Sequence, residues 1–196
     1  MNNYQLHLQQ MHSLQGRPTL LIHICCGVCS VYPLEYLRHH FRVTVFFSNS
    51  NIYPYEEFEK RLSVLKQYLD KLNDDSIALI VDRYDHDSWL RQTKAYQDEP
   101  ENGKRCPICY ESRIERTFRY ASEHHYDYVT TCMSISNRKN AEWINTIGRR
   151  LQEKYPESTY LYADFKKADG ITKNEKMNKE LDLYHQSYCG CEYSMR

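Results

Sequence analysis

A group of three cysteines at the end of an apolar stretch constrains this chain more strongly than any other feature. Residues 19–24 are apolar and partly β-branched, which predicts a buried strand, and residues 31–40 have the spacing of a helix. Between them, the sequence HICCGVC holds Cys25, Cys26 and Cys29. In open α/β sheets, ligands bind at the carboxyl ends of the strands. The sequence therefore predicts three thiols at a ligand-binding position.

Four further cysteines form two more compact groups. Cys106 and Cys109 have Cys-x-x-Cys spacing at the start of a predicted helix, and Cys189 and Cys191 flank a glycine near the end of the sequence. Thiolates at such spacings bind zinc or iron–sulfur clusters, and seven exceed the four that one such group needs. The surplus indicates a second metal, a redox-active dithiol or thiolates near a substrate. The eighth cysteine, Cys132, stands alone and is expected to be a small buried apolar residue.

The composition narrows the class of protein. The 196 residues include 26 basic and 26 acidic side chains, so no overall charge directs the chain to nucleic acid or membrane. Residues 1–16 lack the apolar core of a signal peptide, and no stretch reaches the ~20 apolar residues that span a bilayer. We therefore expect a cytoplasmic protein with no membrane partner, in which reduced thiols favour metal or redox chemistry over structural disulfides.

Strand and helix patterns alternate along the chain. Strands are predicted at residues 19–24, 43–48, 77–81, 128–131 and 160–163, and helices at residues 31–40, 55–72, 88–95, 108–124, 140–153 and 173–184. This alternation predicts a parallel sheet with helices on both faces. We expect a single α/β domain over residues 1–196. Residues 1–17 would form a lead-in, and residues 186–196 a cysteine-bearing tail that folds back onto the active site.

Seven short motifs resemble, in the same order, those of the QueH-type epoxyqueuosine reductases. They are residues 23–29 (HICCGVC), 51–57 (NIYPYEE), 105–109 (RCPIC), 134–136 (SIS), 139–140 (KN), 164–167 (DFKK) and 186–191 (QSYCGC). No single motif is decisive, but the resemblance that they define extends over nearly the whole chain from Leu20 to Ser194. The chain departs from the family at Gly27-Val28, where Ala-Pro is usual, at Cys29, where some members have Asp, and at Asn137, where Pro is common.

The resemblance implies a cobalamin-independent oxidoreductase that reduces epoxyqueuosine to queuosine at the wobble position of tRNA, the last step in making this base. It also implies a Rossmann-like fold of the PP-loop and nucleotide-hydrolase class, a [4Fe–4S] cluster, a second, mononuclear iron and a tRNA partner with a GUN anticodon. The external electron donor is not indicated. The expected metal ligands are Cys25, Cys26, Cys29, Cys106, Cys109, Cys189 and Cys191, and their spacing does not divide them between cluster and iron.

The matching motifs also suggest residues that act on the substrate. The candidate proton donors are Tyr188, His23 and Asp164. For His23 the alternative is a strand-end residue that bonds the backbone, and for Asp164 it is a helix cap or an ion pair with Lys166 or Lys167. The positions expected to bind substrate are Asn51, Tyr53, Tyr55, Arg105, Ser134, Ser136, Lys139, Lys167 and Gln186.

Other functions fit some of the same residues. A thiol–disulfide oxidoreductase would use Cys26 and Cys29 alone, and a zinc-stapled RNA-binding module would have no catalytic activity. An ATP-dependent tRNA thiolase is disfavoured, because the first cysteine group stands where its Ser-Gly-Gly-x-Asp-Ser phosphate loop would be. Basic side chains such as Arg113 are expected to be solvated surface groups, with contact to RNA phosphates as the alternative.

Overall fold

A five-stranded sheet runs through the centre of the protein, for which a computed structural model describes residues 1–195. The strands are β1 (Thr19–His23), β2 (Arg42–Phe47), β3 (Ala78–Val81), β4 (Tyr128–Thr131) and β5 (Thr159–Tyr160). Their order across the sheet is β3-β2-β1-β4-β5, and each neighbouring pair is parallel. The predicted α/β fold with a parallel sheet is confirmed.

Helices connect the strands. They are α1 (Asn3–His12), α2 (Gly27–Leu37), α3 (Tyr55–Leu72), α4 (His86–Thr93), α5 (Arg105–Glu123), α6 (Ala141–Lys154) and α7 (Gly170–Leu181). Short 3₁₀ turns lie at Lys94–Tyr96, Cys132–Ile135 and Glu192–Ser194. The predicted bounds of α3 are confirmed, since its apolar positions repeat on one face. The predicted lead-in contains α1, whose first turn is closed by reciprocal hydrogen bonds between Asn2 and Gln5.

Helices α2, α4, α5 and α7 begin earlier than their apolar spacing predicts, and two of them carry cysteines in their first turns. The prediction places the start of the second helix at residue 31, but α2 begins at Gly27, directly after the extended residue Cys26. The fifth helix begins at Arg105 rather than at residue 108. The first turn of a helix can form without extending the apolar stripe, and no side chain caps α2 or α5, so their starts leave no pattern in the sequence. As a result, each Cys-x-x-Cys pair lies at a helix amino terminus.

The last strand is shorter than predicted. Only Thr159 and Tyr160 pair with β4, whereas the apolar pattern predicts a strand over residues 160–163. Beyond them, the side chain of Gln10 takes the place of a neighbouring strand: its Nε2 donates to the Tyr160 carbonyl at 2.8 Å and its Oε1 accepts from the Tyr162 N–H at 2.9 Å. Helix α1 therefore covers the sheet edge and satisfies backbone groups that a further strand would otherwise pair.

The strand order places a ligand-binding crevice beside β1. Parallel connections are right-handed, so helices that follow β1 and β2 lie on one face and those between β3, β4 and β5 lie on the other. Accordingly α2 packs against α3 and α7, while α5 packs against α4 and α6. The direction of the connections reverses between β1 and β4. Such a switch point is where open α/β sheets bind ligands, outside the carboxyl ends of the strands.

The sheet and the helices pack closely, so that even a small added side-chain group has no space at their contact. Leu20, Leu21 and Ile22 of β1 are completely buried, as expected for a strand covered on both faces. Helix α6 approaches the sheet so closely that a Cβ on Gly148 would lie 2.2 Å from the Tyr160 ring. None of the helices formed by residues 1–195 combines the length and the apolar character needed to cross a bilayer.

Candidate metal centre

Two cysteines meet at the switch point because they follow neighbouring strands. Cys25 lies just beyond β1 and Cys132 directly follows β4. Their sulfur atoms are 3.6 Å apart, and the Cys25 N–H donates to the Cys132 sulfur at 3.4 Å. Cys132 is completely buried, as predicted, but it contacts the first cysteine group, which the prediction did not foresee. Its position after a strand was the available signal, since parallel strands end at the same edge of a sheet.

Cys25, Cys26 and Cys29 form a compact set of thiols. Their sulfur atoms all lie within 4.8 Å of one another, and those of Cys25 and Cys26 are 3.8 Å apart. Cys26 immediately precedes α2 and Cys29 lies in its first turn, where the helix dipole favours negative charge. Hydrogen bonds from Cys132, Cys26 and Cys29 hold the pKa of the Cys25 thiol well below its usual range. Burial, together with the neighbouring Cys25, raises the pKa of Cys26 to about 12.

The other four predicted ligands line one cavity near the amino terminus of α5. Cys106 and Cys109 come from the first turns of that helix, and Cys189 and Cys191 come from the carboxyl-terminal tail. A hydrogen bond with Cys191 lowers the pKa of the Cys189 thiol well below its usual range. All eight cysteines are free thiols. The structure thus brings the thiols of two distant segments together, as the sequence predicted.

Arg61 of α3 holds the cysteine-bearing tail in place. Its guanidinium donates to the carbonyl oxygens of Tyr188 and Cys189 at 3.2 and 3.1 Å, and its Nε donates to the Glu57 carboxylate at 2.7 Å. Gly190 has a positive φ of 101°, and a Cβ there would lie 2.9 Å from the Arg61 guanidinium. The turn between the two tail cysteines therefore requires glycine.

A cavity of about 210 Å³ joins the two cysteine groups. Cys25, Cys26, Cys29 and Cys189 line it, and Cys189 also lines the neighbouring cavity of the second group. The proposed site residues that line this cavity are Asn51, Ser136, Lys139, Gln186 and Tyr188. The Gln186 amide donates to the Cys26 sulfur at 3.0 Å. A substrate in this cavity would contact thiols and hydrogen-bonding side chains at once.

Two cations, the buried Arg113 and the partly buried Lys139, face the thiols. Arg113 is 4% exposed, so the prediction of a solvated surface group is wrong for this residue. Its Nε donates to the Cys109 carbonyl at 3.2 Å, and it lines both cavities, as does Lys139. Burial would lower the pKa of Lys139, but the nearby Cys25 and Cys29 outweigh it and raise that pKa. Helical spacing places Arg113 beside the apolar face of α5, but only the packing of other segments over α5 decides that this position is buried.

His23 lies behind the cysteines and not in the cavity. It is completely buried, with Nδ1 at 2.9 Å from the Thr131 hydroxyl and Nε2 at 3.1 Å from the Ser48 carbonyl. Burial first, and then the charge of Arg113, lower its pKa to about 4. These contacts match the alternative of a strand-end residue, which ties the carboxyl ends of three strands together.

The remaining candidates lie around the cavity or away from it. Among the described residues, Asp164 and Lys167 line a separate cavity beside α1 and α2, and Asp164 pairs with Lys166 at 3.6 Å. Arg105 donates to the carbonyls of Tyr96, Gln97 and Glu99 and so orders the loop before α5. Ser134 is buried, and Tyr53 and Tyr55 are 43% and 50% exposed outside the cavity lining. Roles of these residues in catalysis or substrate binding stay predictions.

Comparison with known proteins agrees with the motifs. Residues 20–196 match the family model described as "Epoxyqueuosine reductase QueH". Proteins of that name from Streptococcus pyogenes serotype M1 and Staphylococcus epidermidis are 36% and 35% identical to this chain, over 99% and 91% of it and 78% and 76% of their own lengths. The Thermotoga maritima protein of that name is 32% identical, over 90% of each chain.

A solved structure shares the fold at much lower identity. The U34-tRNA thiolase NcsA from Methanococcus maripaludis with its [4Fe-4S] cluster superposes with a TM-score of 0.60 and 12% identity, over 98% of this chain and 67% of that one. This likeness supports the Rossmann-like arrangement of the sheet. The relatives and the family model together show that the chain belongs to the epoxyqueuosine reductase QueH family of oxidoreductases.

Proposed function

We propose that this chain reduces epoxyqueuosine to queuosine in tRNA with iron held by its two cysteine groups. The observation that carries the proposal is the convergence of seven motif cysteines on two adjoining cavities at the switch point of the sheet. Family membership supplies the reaction. The proposal includes the wobble position as the site of reduction, a tRNA with a GUN anticodon as the substrate and a cytoplasmic location. All three follow from the reaction of the family.

The donor set fits iron. Four thiolates at about 2.3 Å from a tetrahedral metal lie ~3.8 Å from one another. The Cys25 and Cys26 sulfurs are already 3.8 Å apart, with Cys29 within 4.8 Å. Soft thiolates favour iron–sulfur clusters and zinc over magnesium or calcium. We therefore infer that Cys25, Cys26 and Cys29 hold the mononuclear iron.

The second group supplies the number of ligands that a cubane cluster requires. Cys106, Cys109, Cys189 and Cys191 line one cavity, and a [4Fe–4S] cluster is held by four thiolates. We infer that these four hold the cluster. Arg113, which is buried, and Lys139, which is partly buried, line both cavities and offset the negative charge that the thiolates bring into this site.

The reaction sets the tasks of the protein side chains. Conversion of the epoxide to an alkene takes two electrons and two protons and releases water, and an external donor must supply the electrons. When bound, the iron groups supply electron transfer and Lewis acidity. Lys139 and Tyr188 line the cavity and are the proposed proton donors. The Tyr188 hydroxyl now donates to the Tyr53 carbonyl at 2.7 Å, so it must turn to reach a substrate.

The first test is iron, zinc and acid-labile sulfide content after purification without oxygen, followed by reduction of epoxyqueuosine tRNA with dithionite. Iron, sulfide and product formed by the wild-type chain would support the proposal, and Cys26→Ser should lose the product. Zinc without sulfide, even after reconstitution, would contradict it and favour a zinc-stapled RNA-binding module. Full activity of Cys106→Ser would favour a dithiol that uses Cys26 and Cys29 alone.

A further inference from the structure

A second cavity lies beside the cysteine site and has no part in the proposed chemistry. It encloses about 510 Å³ and is lined by α1, α2 and the segment that leads into α7. The side chains that characterise it are Tyr4, Tyr32, Tyr36, Asp164, Lys167 and Lys173. None of the cysteines proposed as metal ligands lines it, so it is separate from the cysteine site.

Aromatic rings form one wall of this second cavity. Tyr32 and Tyr36 stack at 6.3 Å between ring centroids with an interplanar angle of 27°, and Tyr4 stacks on His7 at 6.4 Å and 17°. The three tyrosines are only partly buried, so ring surface remains open to a ligand. Nucleobases stack on aromatic rings of this kind wherever proteins bind single-stranded RNA.

Positive charge lies at the rim of the second cavity. Lys167 and Lys173 are exposed, and the Lys173 Nζ lies 5.6 Å from the Tyr32 ring centroid. The acid Glu35 is already neutralised by Arg38 at 2.8 Å. Cations beside stacked rings suit a nucleotide, because the base contacts the rings while the phosphate contacts the lysines.

One carboxylate oxygen in the wall of the second cavity is buried without a hydrogen bond. The Asp164 Oδ1 is inaccessible to solvent and has no hydrogen-bond partner, although the Lys166 ammonium lies 3.6 Å away. A buried carboxylate oxygen without a hydrogen bond is costly and is normally satisfied. Asp164 lines the second cavity, so an exocyclic amino group of a base would satisfy this oxygen once the side chain turned its Oδ1 towards the ligand.

Helix α7 separates the second cavity from the cysteine cavity. Lys173 lines the second cavity, and the next residue, Asn174, lines the first. The Asn174 side chain accepts from the Tyr32 N–H at 3.1 Å and donates to the Val28 carbonyl at 3.0 Å, so α7 is fixed to α2. A single RNA strand can therefore place one nucleotide in each cavity by crossing the first turns of α7.

We propose that the second cavity binds a nucleotide of the tRNA loop close to the one that is reduced, with its base on Tyr4 and Tyr32 and its phosphate at Lys173. This inference rests on the proposed function, which makes tRNA the substrate. Binding there would position the tRNA loop so that the reacting nucleotide lies in the cysteine cavity, where the reduction takes place.

The test measures binding of substrate tRNA by the anaerobically purified chain with its metal. Tyr4→Ala should weaken binding at least about fivefold, and Tyr4→Phe should not, because the ring is kept. Lys173→Gln should make the dependence of log K on log salt shallower by about 0.7. The control Lys66→Gln removes an exposed lysine of α3 that lines neither cavity and should change nothing. Unchanged metal content and melting temperature must accompany each variant.

A second measurement does not depend on variants. Photo-crosslinking of wild-type protein to tRNA with 4-thiouridine beside the wobble position should label peptides that contain Tyr4 or Tyr32. Tight tRNA binding with crosslinks only elsewhere, or with equal affinity for Tyr4→Ala and wild type, would overturn the second-cavity inference and leave the proposed function standing. Absence of any tRNA binding by wild type would overturn both.

Discussion

The guanidinium of Arg61 donates to the carbonyl oxygen of Cys189 at 3.1 Å, across 128 residues of sequence. Arg61 is 2% exposed and is itself held by Glu57, one turn earlier on α3. A buried cation of α3, on one face of the sheet, thus positions the backbone that carries two proposed cluster ligands. The integrity of that metal site should depend on a residue that has no contact with metal.

Replacement of Arg61 tests this dependence. Arg61→Lys keeps the charge but not the planar fork that reaches two carbonyls and a carboxylate, so the tail should detach. We expect a loss of sulfide and of most iron, and faster proteolysis of the tail. Arg149→Lys, on the exposed face of α6, should leave both unchanged. Full metal content with an intact tail in Arg61→Lys would show that the tail is held by the thiols themselves.

The division of the cysteines makes a separate prediction. Cys191→Ser should remove the labile sulfide together with the iron of the cluster, because it deletes one of four proposed thiolates. Cys29→Ser should keep the sulfide and lower the iron content by about one atom per chain. Iron and sulfide analysis of both variants after the same reconstitution tests which cysteine group holds the cluster and which holds the single iron. A loss of sulfide in Cys29→Ser would mean that the first group holds the cluster.

His7 should make the stability of the fold depend on pH. Its Nδ1–H donates to the Tyr162 carbonyl at 2.7 Å, and its Nε2 lies 3.2 Å from the Tyr36 hydroxyl, an arrangement suited to neutral imidazole. Burial lowers the pKa of His7 from its usual 6.5. The unfolded chain therefore binds a proton at this site before the folded chain does, and stability is lost as the pH falls below 6.5.

Urea unfolding of His7→Gln and wild type over a pH range measures this effect. Near pH 7.5 the variant should be less stable by about 1–2 kcal/mol, because a buried hydrogen bond is disturbed. The difference should shrink as the pH falls below 6.5, since only wild type has a buried imidazole to protonate. A difference that stays constant or grows on acidification would contradict the assignment.

Helix α6 leaves no space for a methyl group at Gly148. A Cβ there would lie 2.2 Å from the completely buried Tyr160 ring, so Gly148→Ala forces the helix away from the sheet. The steric cost should exceed the ~1 kcal/mol that alanine adds to a helix and destabilise the protein by about 1–2 kcal/mol. Thr146→Ala, on the exposed face of the same helix, should have little effect. Thermal unfolding compares the two, and a more stable Gly148→Ala would show that the ring can move.

Most of the fold could be predicted from local patterns. The apolar repeat on α3 gave its bounds, and the alternation of strands and helices predicted the parallel sheet. At β5, a side chain distant in sequence makes contacts that the local pattern does not show. Gln10 of α1 hydrogen-bonds the Tyr160 carbonyl and the Tyr162 N–H on the edge of β5 that faces away from β4, and no window around residue 160 contains that information.

The candidate site could be predicted only in part. Spacing identified seven cysteines as a set, but not the contact between Cys132 and Cys25 or the burial of Arg113 among the thiols. Asp164 and Lys167 lie in a short motif like the others, yet the fold turns them to the second cavity. A motif states which residue types occur near one another in sequence, and it does not state which way their side chains face.

The sequence by itself determined the order of strands and helices and the presence of three thiol groups, because periodicity and spacing are local properties of the chain. The tertiary structure alone decided which thiols adjoin one another. Strand order β3-β2-β1-β4-β5 brings the ends of β1 and β4 together, and Arg61 draws the tail to the same edge. Those contacts arise from packing between segments more than 100 residues apart, where local preference has no influence.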